Sequence, residues 1–270
     1  MSAQNEATPR VFLIRHGETE WSKNGRYTST TDLELLPEGV EKVKQTASVA
    51  FGPGRLIDPS KVGLIMCSPR KRARQTLDLY LDRLSTEVPR SSEDGTTVVE
   101  DRSDLESKIT VTEDLAEWGY GDYEGLLTQQ IRDLRRSRGL DTVRRWNALL
   151  DGCEGPGSEV PADVMRRIDR IISRVTALQR DALDHARPCD VVLFAHGHIF
   201  RAFVKRWLGF AVDDPVRLDF QFEPGSVCGL SYANRNVEDR VLLAGMRLPF
   251  LLLLPPHRHH ERSSKQSQSR

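Results

Sequence analysis

The sequence predicts an α/β fold with a mostly parallel sheet, and three observations predict it. Short, uninterrupted apolar runs ("VFLI" before Arg15, "KVGLIMC" before Ser68 and "DVVLFA" before His196) read as strands buried on both faces. Between them lie stretches whose apolar residues recur at steps of three and four, the spacing of one helix face. Strand and helix patterns alternate along the chain without an internal repeat.

The elements follow in order. Pro37 suits a first helical position, and Val40, Val43, Ala47 and Ala50 then share a face. "RKRARQTLDLYLDRL" predicts a helix with Ala73, Leu77 and Leu81 in register and a basic opening turn. From about Ser85 to Lys108 the pattern is lost, and this polar, acidic stretch reads as a flexible insertion. "LLTQQIRDLRRSRG" predicts a helix striped by Leu127, Ile131 and Leu134 and ended by Gly139. In "VPADVMRRIDRIISRVTALQRDAL" the stripe is Val164, Ile168, Ile171, Val175, Leu178 and Ala182, and Arg166, Arg167, Arg170 and Arg174 read as its solvated face. "IFRAFVKRWLG" predicts a helix closed by Gly209, and "RLDFQF", "VCGLSYA" and "RVLLAG" predict late strands. These assignments give a flexible N-terminus over 1–9, one catalytic domain over 10–250 and a disordered tail over 251–270.

Composition narrows the class. The chain has 270 residues, 38% of them hydrophobic, enough for one sizeable core. With 39 basic and 39 acidic residues the net charge is near zero, which points to neither nucleic acid nor a membrane surface as partner. The N-terminus lacks an apolar signal core, and "LPFLLLL" is too short to span a bilayer. Cys67, Cys153, Cys189 and Cys228 form no C-x-x-C, so a reduced, cytoplasmic protein is expected, with the nucleus left open.

The chemistry gathers at the strand ends. The first strand delivers Arg15, His16 and Gly17; the second leads through Ser68 to Arg72; a late one delivers His196, Gly197 and His198. In open α/β sheets ligands collect outside the carboxyl ends of the strands, so these residues are expected on one rim. Arginine forks match phosphate oxygens, a neutral histidine nitrogen attacks phosphorus, and glycine lets backbone N–H groups approach an anion. A leaving alkoxide needs a proton donor, and "DLAEWGYGDYEG" offers Glu117, Asp122 and Glu124, of which Glu117 is preferred. The basic turn around Arg72 lies at a helix N-terminus, where positive charge is disfavoured, so an anion is expected beside it. His196 and His198 read weakly as a metal pair, since no carboxylate or cysteine nearby completes a ligand set. No metal and no cofactor is therefore assigned, and the tail histidines are assigned nothing.

These motifs, "RHG", "SPRKRARQT", Glu117 before "YGDYEG", and "AHGH", occur in the order found in the histidine phosphatase superfamily, which the chain resembles from about Val11 to about Ala233. That resemblance implies a three-layer α/β/α sandwich of the phosphoglycerate mutase-like kind. It implies His16 as the phosphorylated nucleophile, Arg15, Arg72 and His196 holding the phosphoryl group, and Glu117 as proton donor and then base. "EWSKNGRYT", "EWGYGDYEG", "SRGLD", "DGCE" and "LSYA" are similar to the fungal sedoheptulose 1,7-bisphosphatases. The implied reaction is removal of the 1-phosphate of a sugar bisphosphate, feeding ribose phosphate synthesis, with Tyr27, Thr28, Tyr120 and Gly197 contacting the substrate.

The sequence departs from the family pattern in places. Ser22 stands where mutases commonly carry asparagine, Gly157-Ser158-Glu159 reorders a family element and leaves Glu159 without a role, and the segment from Gly209 to Ser226 is short for the sedoheptulose group. A phosphoglycerate mutase-type phosphotransferase, a broad-specificity or protein histidine phosphatase, and a phosphoprotein-binding module are the alternatives. A small phosphorylated sugar is the expected partner, and a homo-oligomer is left open.

Overall fold

The structure, a computed structural model, describes residues 8–85, 90–91, 97–98, 102–216, 218 and 220–244. The elements are β1 (Val11–Arg15), α1 (Glu20–Asn24), α2 (Pro37–Ala50), β2 (Val62–Cys67), α3 (Lys71–Ser85), β3 (Arg90–Ser91), β4 (Thr97–Val98), α4 (Arg102–Ser107) and β5 (Ile109–Val111). There follow α5 (Thr128–Ser137), α6 (Ala148–Asp151), α7 (Pro161–Asp184), β6 (Asp190–Ala195), α8 (Gly197–Trp207), β7 (Val227–Tyr232) and β8 (Arg240–Leu243).

Among the described residues a six-stranded sheet runs β5-β2-β6-β1-β7-β8. β5, β2, β6 and β1 pair in parallel, while β7 runs antiparallel to β1 and to β8. The apolar runs are continuous because both faces of the sheet are covered, and the period of two divides them. Val11, Leu13, Leu64, Met66, Val191, Leu193 and Ala195 join the core under α7 and α8. Phe12, Ile14, Ile65, Cys67, Val192 and Phe194 join the core under α2 and α3. The result is a three-layer α/β/α sandwich with a mostly parallel sheet. Parallel pairing puts the ends of β1, β2 and β6 on one edge of the sheet.

Two expectations change. "RLDFQF" is not a strand in its described residues, Leu218 and Phe220 to Phe222. The ladder beside β1 is already taken by β7, and the segment instead buries Phe222 against Phe200 at 5.5 Å between ring centroids. Arg166, Arg170 and Arg174 lie on the solvated face of α7, but Arg167 is buried, for a reason that belongs to the site.

Half of the stretch expected to be an insertion lies outside the described residues; of the rest, β3 and β4 pair antiparallel and the end forms α4, which buries Leu105 against the core under α3. Of the two expected terminal segments, only Thr8 and Pro9 are described; Pro9 is buried and its carbonyl accepts a hydrogen bond from Ser231 Oγ.

Candidate active site

The turn after β1 is held on three sides. The His16 N–H donates to the Ala195 carbonyl at 3.0 Å, the Gly225 N–H donates to the His16 carbonyl at 3.0 Å, and the Gly17 N–H donates to Thr76 Oγ1 at 3.0 Å. Glycine is required at position 17 because a Cβ there would lie 2.7 Å from Val43 Cγ2 on α2. The second helix thus packs directly on the turn that carries His16.

Local chemistry fixes the state of His16. Its Nδ1 lies 2.7 Å from the Gly17 carbonyl oxygen, which can only accept, so Nδ1 carries the proton and Nε2 keeps its lone pair. Burial, then the charges of Arg72 and Arg15, hold its pKa well below the ordinary histidine value. A neutral imidazole with Nε2 unprotonated is what nucleophilic attack requires. Arg15 lies alongside. One Nη donates to the Phe222 carbonyl, while its Nε is buried without a hydrogen-bond partner.

Arg72 and His196 form a tier behind this pair. Arg72 is fully buried; its Nη groups donate to the carbonyls of Thr28, Ser29 and Thr31, and its Nε donates to His196 Nδ1 at 3.2 Å. His196 Nδ1 is therefore the acceptor, which puts the ring proton on Nε2, 2.7 Å from Ser68 Oγ. The His16 and His196 rings meet edge-on at 5.1 Å. Neither Arg72 nor His196 is among the residues lining the cavity. A guanidinium with no solvent contact must satisfy its N–H groups, and here protein carbonyls do so. The anion expected beside the basic turn is supplied in part by the protein. The Lys71 N–H donates to Asp32 at 2.7 Å, and Arg70 pairs with Glu113.

Geometry separates the three candidate acids. Glu117 lines the cavity, and its carboxylate accepts from the N–H groups of Trp118 (2.9 Å), Ile199 (2.8 Å) and His198 (3.1 Å). Two of these donors open α8, so Glu117 caps that helix. Glu124 instead holds the Ser29 to Thr31 loop through the N–H groups of Ser29 and Thr31, and Asp122 pairs with Arg138.

The loop carrying Glu117 is pinned by the arginine that patterning placed in solvent. Arg167 donates to the carbonyls of Asp114 and Ala116 at 2.9 and 2.7 Å, approaches that of Glu117 at 3.4 Å, and forms a two-pronged ion pair with Glu159. Glu159 also accepts the Gly119 N–H at 2.8 Å, which gives it the role its sequence context left open.

The cavity measures about 270 Å³ and is lined by Arg15, His16 and Glu117, with Tyr27, Thr28, Tyr120 and Gly197 also on its wall. Tyr27 meets Tyr120 edge-on at 5.0 Å and stacks on His198 at 5.5 Å. Sequence reasoning placed His198 on the rim but gave it no role toward substrate, and it missed Arg201. Both line the cavity, and His198 Nδ1 lies 2.7 Å from the Tyr120 hydroxyl. The available signal was their spacing: His198 and Arg201 are three apart, so α8 presents them on one face. Ser22 also lines the cavity, and its hydroxyl accepts from the Thr19 N–H to cap α1. Among the described residues no group of three or more His, Cys, Asp or Glu side chains is placed to hold a metal ion. No described helix is long and apolar enough to cross a membrane.

Comparison with known proteins matches this arrangement to a family. The family model described as histidine phosphatase superfamily (branch 1) matches residues 11–94 and 96–241. A sedoheptulose 1,7-bisphosphatase of Saccharomyces cerevisiae is 37% identical over 88% of this chain and 93% of its own. An acid phosphatase of Mycobacterium tuberculosis is 32% identical over 84% of this chain and 90% of its own. Among solved structures, the product of a Mycobacterium tuberculosis open reading frame superposes with a TM-score of 0.61 at 28% identity, over 88% of this chain and 96% of its own.

Proposed function

The chain belongs to the histidine phosphatase superfamily (branch 1) and is a phosphoric monoester hydrolase, and from that premise we propose that it removes one phosphate of a sugar bisphosphate through a phosphohistidine at His16. The substrate we assign is sedoheptulose 1,7-bisphosphate, released as sedoheptulose 7-phosphate. The observation that carries the mechanism is the fixed tautomer of His16, whose Nδ1 proton is spent on Gly17 in a cavity shared with Arg15 and Glu117. The substrate assignment draws its support from the yeast relative and the shared motifs.

The steps follow from the residues. His16 Nε2 attacks phosphorus as the P–O bond to the sugar breaks, and a protonated Glu117 gives its proton to the departing alkoxide. The Glu117 carboxylate then takes a proton from water, which attacks the phosphohistidine, releases inorganic phosphate and restores His16. Arg15 offers its unpartnered Nε to the transferring oxygens, and the opening turn of α8 adds positive potential. Arg72 acts from behind, by its charge and by holding His196 and the Thr28 to Thr31 carbonyls.

Phosphate release from a panel of sugar mono- and bisphosphates, with a metal chelator present, tests this reading. Selective release from sedoheptulose 1,7-bisphosphate without bisphosphoglycerate priming is the expected result. A flat profile would remove the substrate assignment, and activity that needs priming would favour a mutase.

A further inference from the structure

The lone pair on His16 Nε2 depends on where the Gly17 carbonyl points. Glycine has the freest backbone of any residue, yet position 17 must be glycine, because Val43 leaves no room for a Cβ. Its neighbours therefore have to hold it. On the α2 side, a Cβ at Gly39 would lie 2.4 Å from the Glu18 carbonyl oxygen, which also accepts the Leu36 N–H at 2.8 Å. On the α3 side, Thr76 Oγ1 accepts the Gly17 N–H at 3.0 Å.

The Thr76 hydroxyl has a forced polarity. Thr76 is fully buried, and Oγ1 donates its one proton to the Arg72 carbonyl, one helical turn earlier, at 2.8 Å. Toward Gly17 it is therefore an acceptor only. A threonine that bonds back to its own helix gives that helix little, and valine has the same shape without the polar atom. What the hydroxyl does supply is a partner for the buried Gly17 N–H, which would otherwise be an unpaired donor in the interior. The other end of the same residue, the Gly17 carbonyl, takes the His16 Nδ1 proton at 2.7 Å.

We propose that Thr76 is a positioning residue for the nucleophile: by holding Gly17 it keeps the His16 proton on Nδ1 and the lone pair on Nε2. This rests on the phosphohistidine reading above. Thr76 is not on the cavity wall and touches no reacting atom. Without its acceptor the turn is free to swing, and the tautomer protonated on Nε2, which cannot attack phosphorus, gains population. Attack then slows by the fraction of His16 left competent. Once phosphorus sits on Nε2, only Nδ1 can carry the ring proton, so hydrolysis of the phosphohistidine is affected far less.

The test compares the wild type with Thr76→Val, Thr76→Ala and Thr76→Ser. Nitrogen-15 NMR of the histidines reads the His16 tautomer without substrate. Rapid quenching with phosphorus-32-labelled sedoheptulose 1,7-bisphosphate reads phosphohistidine formation and loss separately. The wild type should carry the proton on Nδ1 alone. Thr76→Val should show both tautomers and form phosphohistidine about 10- to 100-fold more slowly, with its hydrolysis nearly unchanged. Thr76→Ser, which keeps the hydroxyl, should recover the wild-type values. If Thr76→Val does not fold, Thr76→Ala removes the hydroxyl without adding a methyl and decides. A wild-type tautomer and formation rate without the hydroxyl, or equal slowing of both steps, overturns the positioning role while leaving the phosphohistidine in place. So does a wild type protonated on Nε2. A wild type with no label on His16 overturns the phosphohistidine reading, and this inference with it.

Discussion

Arg72 Nε donates to His196 Nδ1 at 3.2 Å, so the second histidine of the site is held by its neighbour as a neutral ring with its proton on Nε2. The same guanidinium carries the carbonyls of Thr28, Ser29 and Thr31, which ties the cavity wall to the catalytic tier.

Replacing Arg72 should therefore damage both rate and stability. Arg72→Gln is expected to lower kcat by about 100-fold or more, since it removes a buried charge close to the transferring phosphoryl group. Leaving buried carbonyls unpaired should cost about 3 kcal/mol in unfolding free energy. Steady-state kinetics and urea unfolding measure the two. A variant of wild-type stability would mean that the carbonyl contacts are dispensable.

Two buried histidines and the half-buried His198 make stability depend on pH. Burial first, then neighbouring positive charge, lowers His16 and His196 well below the usual value, and burial lowers His198 to about 4. Below pH 6.5 the unfolded chain binds protons that the folded chain refuses, so stability present above 6.5 is lost as pH falls towards the folded values. Each such histidine contributes up to about 1.4 kcal/mol per pH unit in that window. Urea unfolding between pH 7.5 and 4.5 should show this slope, and NMR should show no ring titration of His16 near 6.5. A His16 titration at 6.5 would contradict the neutral, buried nucleophile.

Arg167 is a positioning residue for Glu117. Arg167→Met should reduce kcat about 10- to 100-fold with KM nearly unchanged, because the proton donor shifts while the phosphate cradle stays. Arg167→Lys, which cannot reach three carbonyls and Glu159 together, should recover only part of that rate. Equal losses in kcat and stability for both variants, with KM rising in step, would point to a general loss of structure instead.

The fold was legible where one rule governed a segment. Both-face burial made β1, β2 and β6 continuous apolar runs, and the stripe of α7 follows the helical period from Val164 to Ala182. Patterning failed where long-range polar contacts decide. Arg167 stands three residues after Val164 and four before Ile171, at the edge of the apolar stripe, whereas Arg166 and Arg170 face solvent, but only the fold brings Asp114, Ala116 and Glu159 to it. "RLDFQF" alternates like a strand, but the ladder position beside β1 is held by β7. Within the site, residues next to motif glycines and histidines were legible from chemistry. Arg201 sits on α8 among residues that pack the helix, and its spacing from His198 was its one signal in the sequence.

The central claim is that His16 Nε2 carries the phosphoryl group during turnover. Rapid quenching of enzyme with phosphorus-32-labelled sedoheptulose 1,7-bisphosphate, followed by peptide mapping, tests it most directly. The expected result is acid-labile, alkali-stable label on the His16 peptide, formed and lost at rates that match turnover, and none in His16→Ala, which should also lack activity. Full turnover by His16→Ala, or label on another residue, would contradict the account.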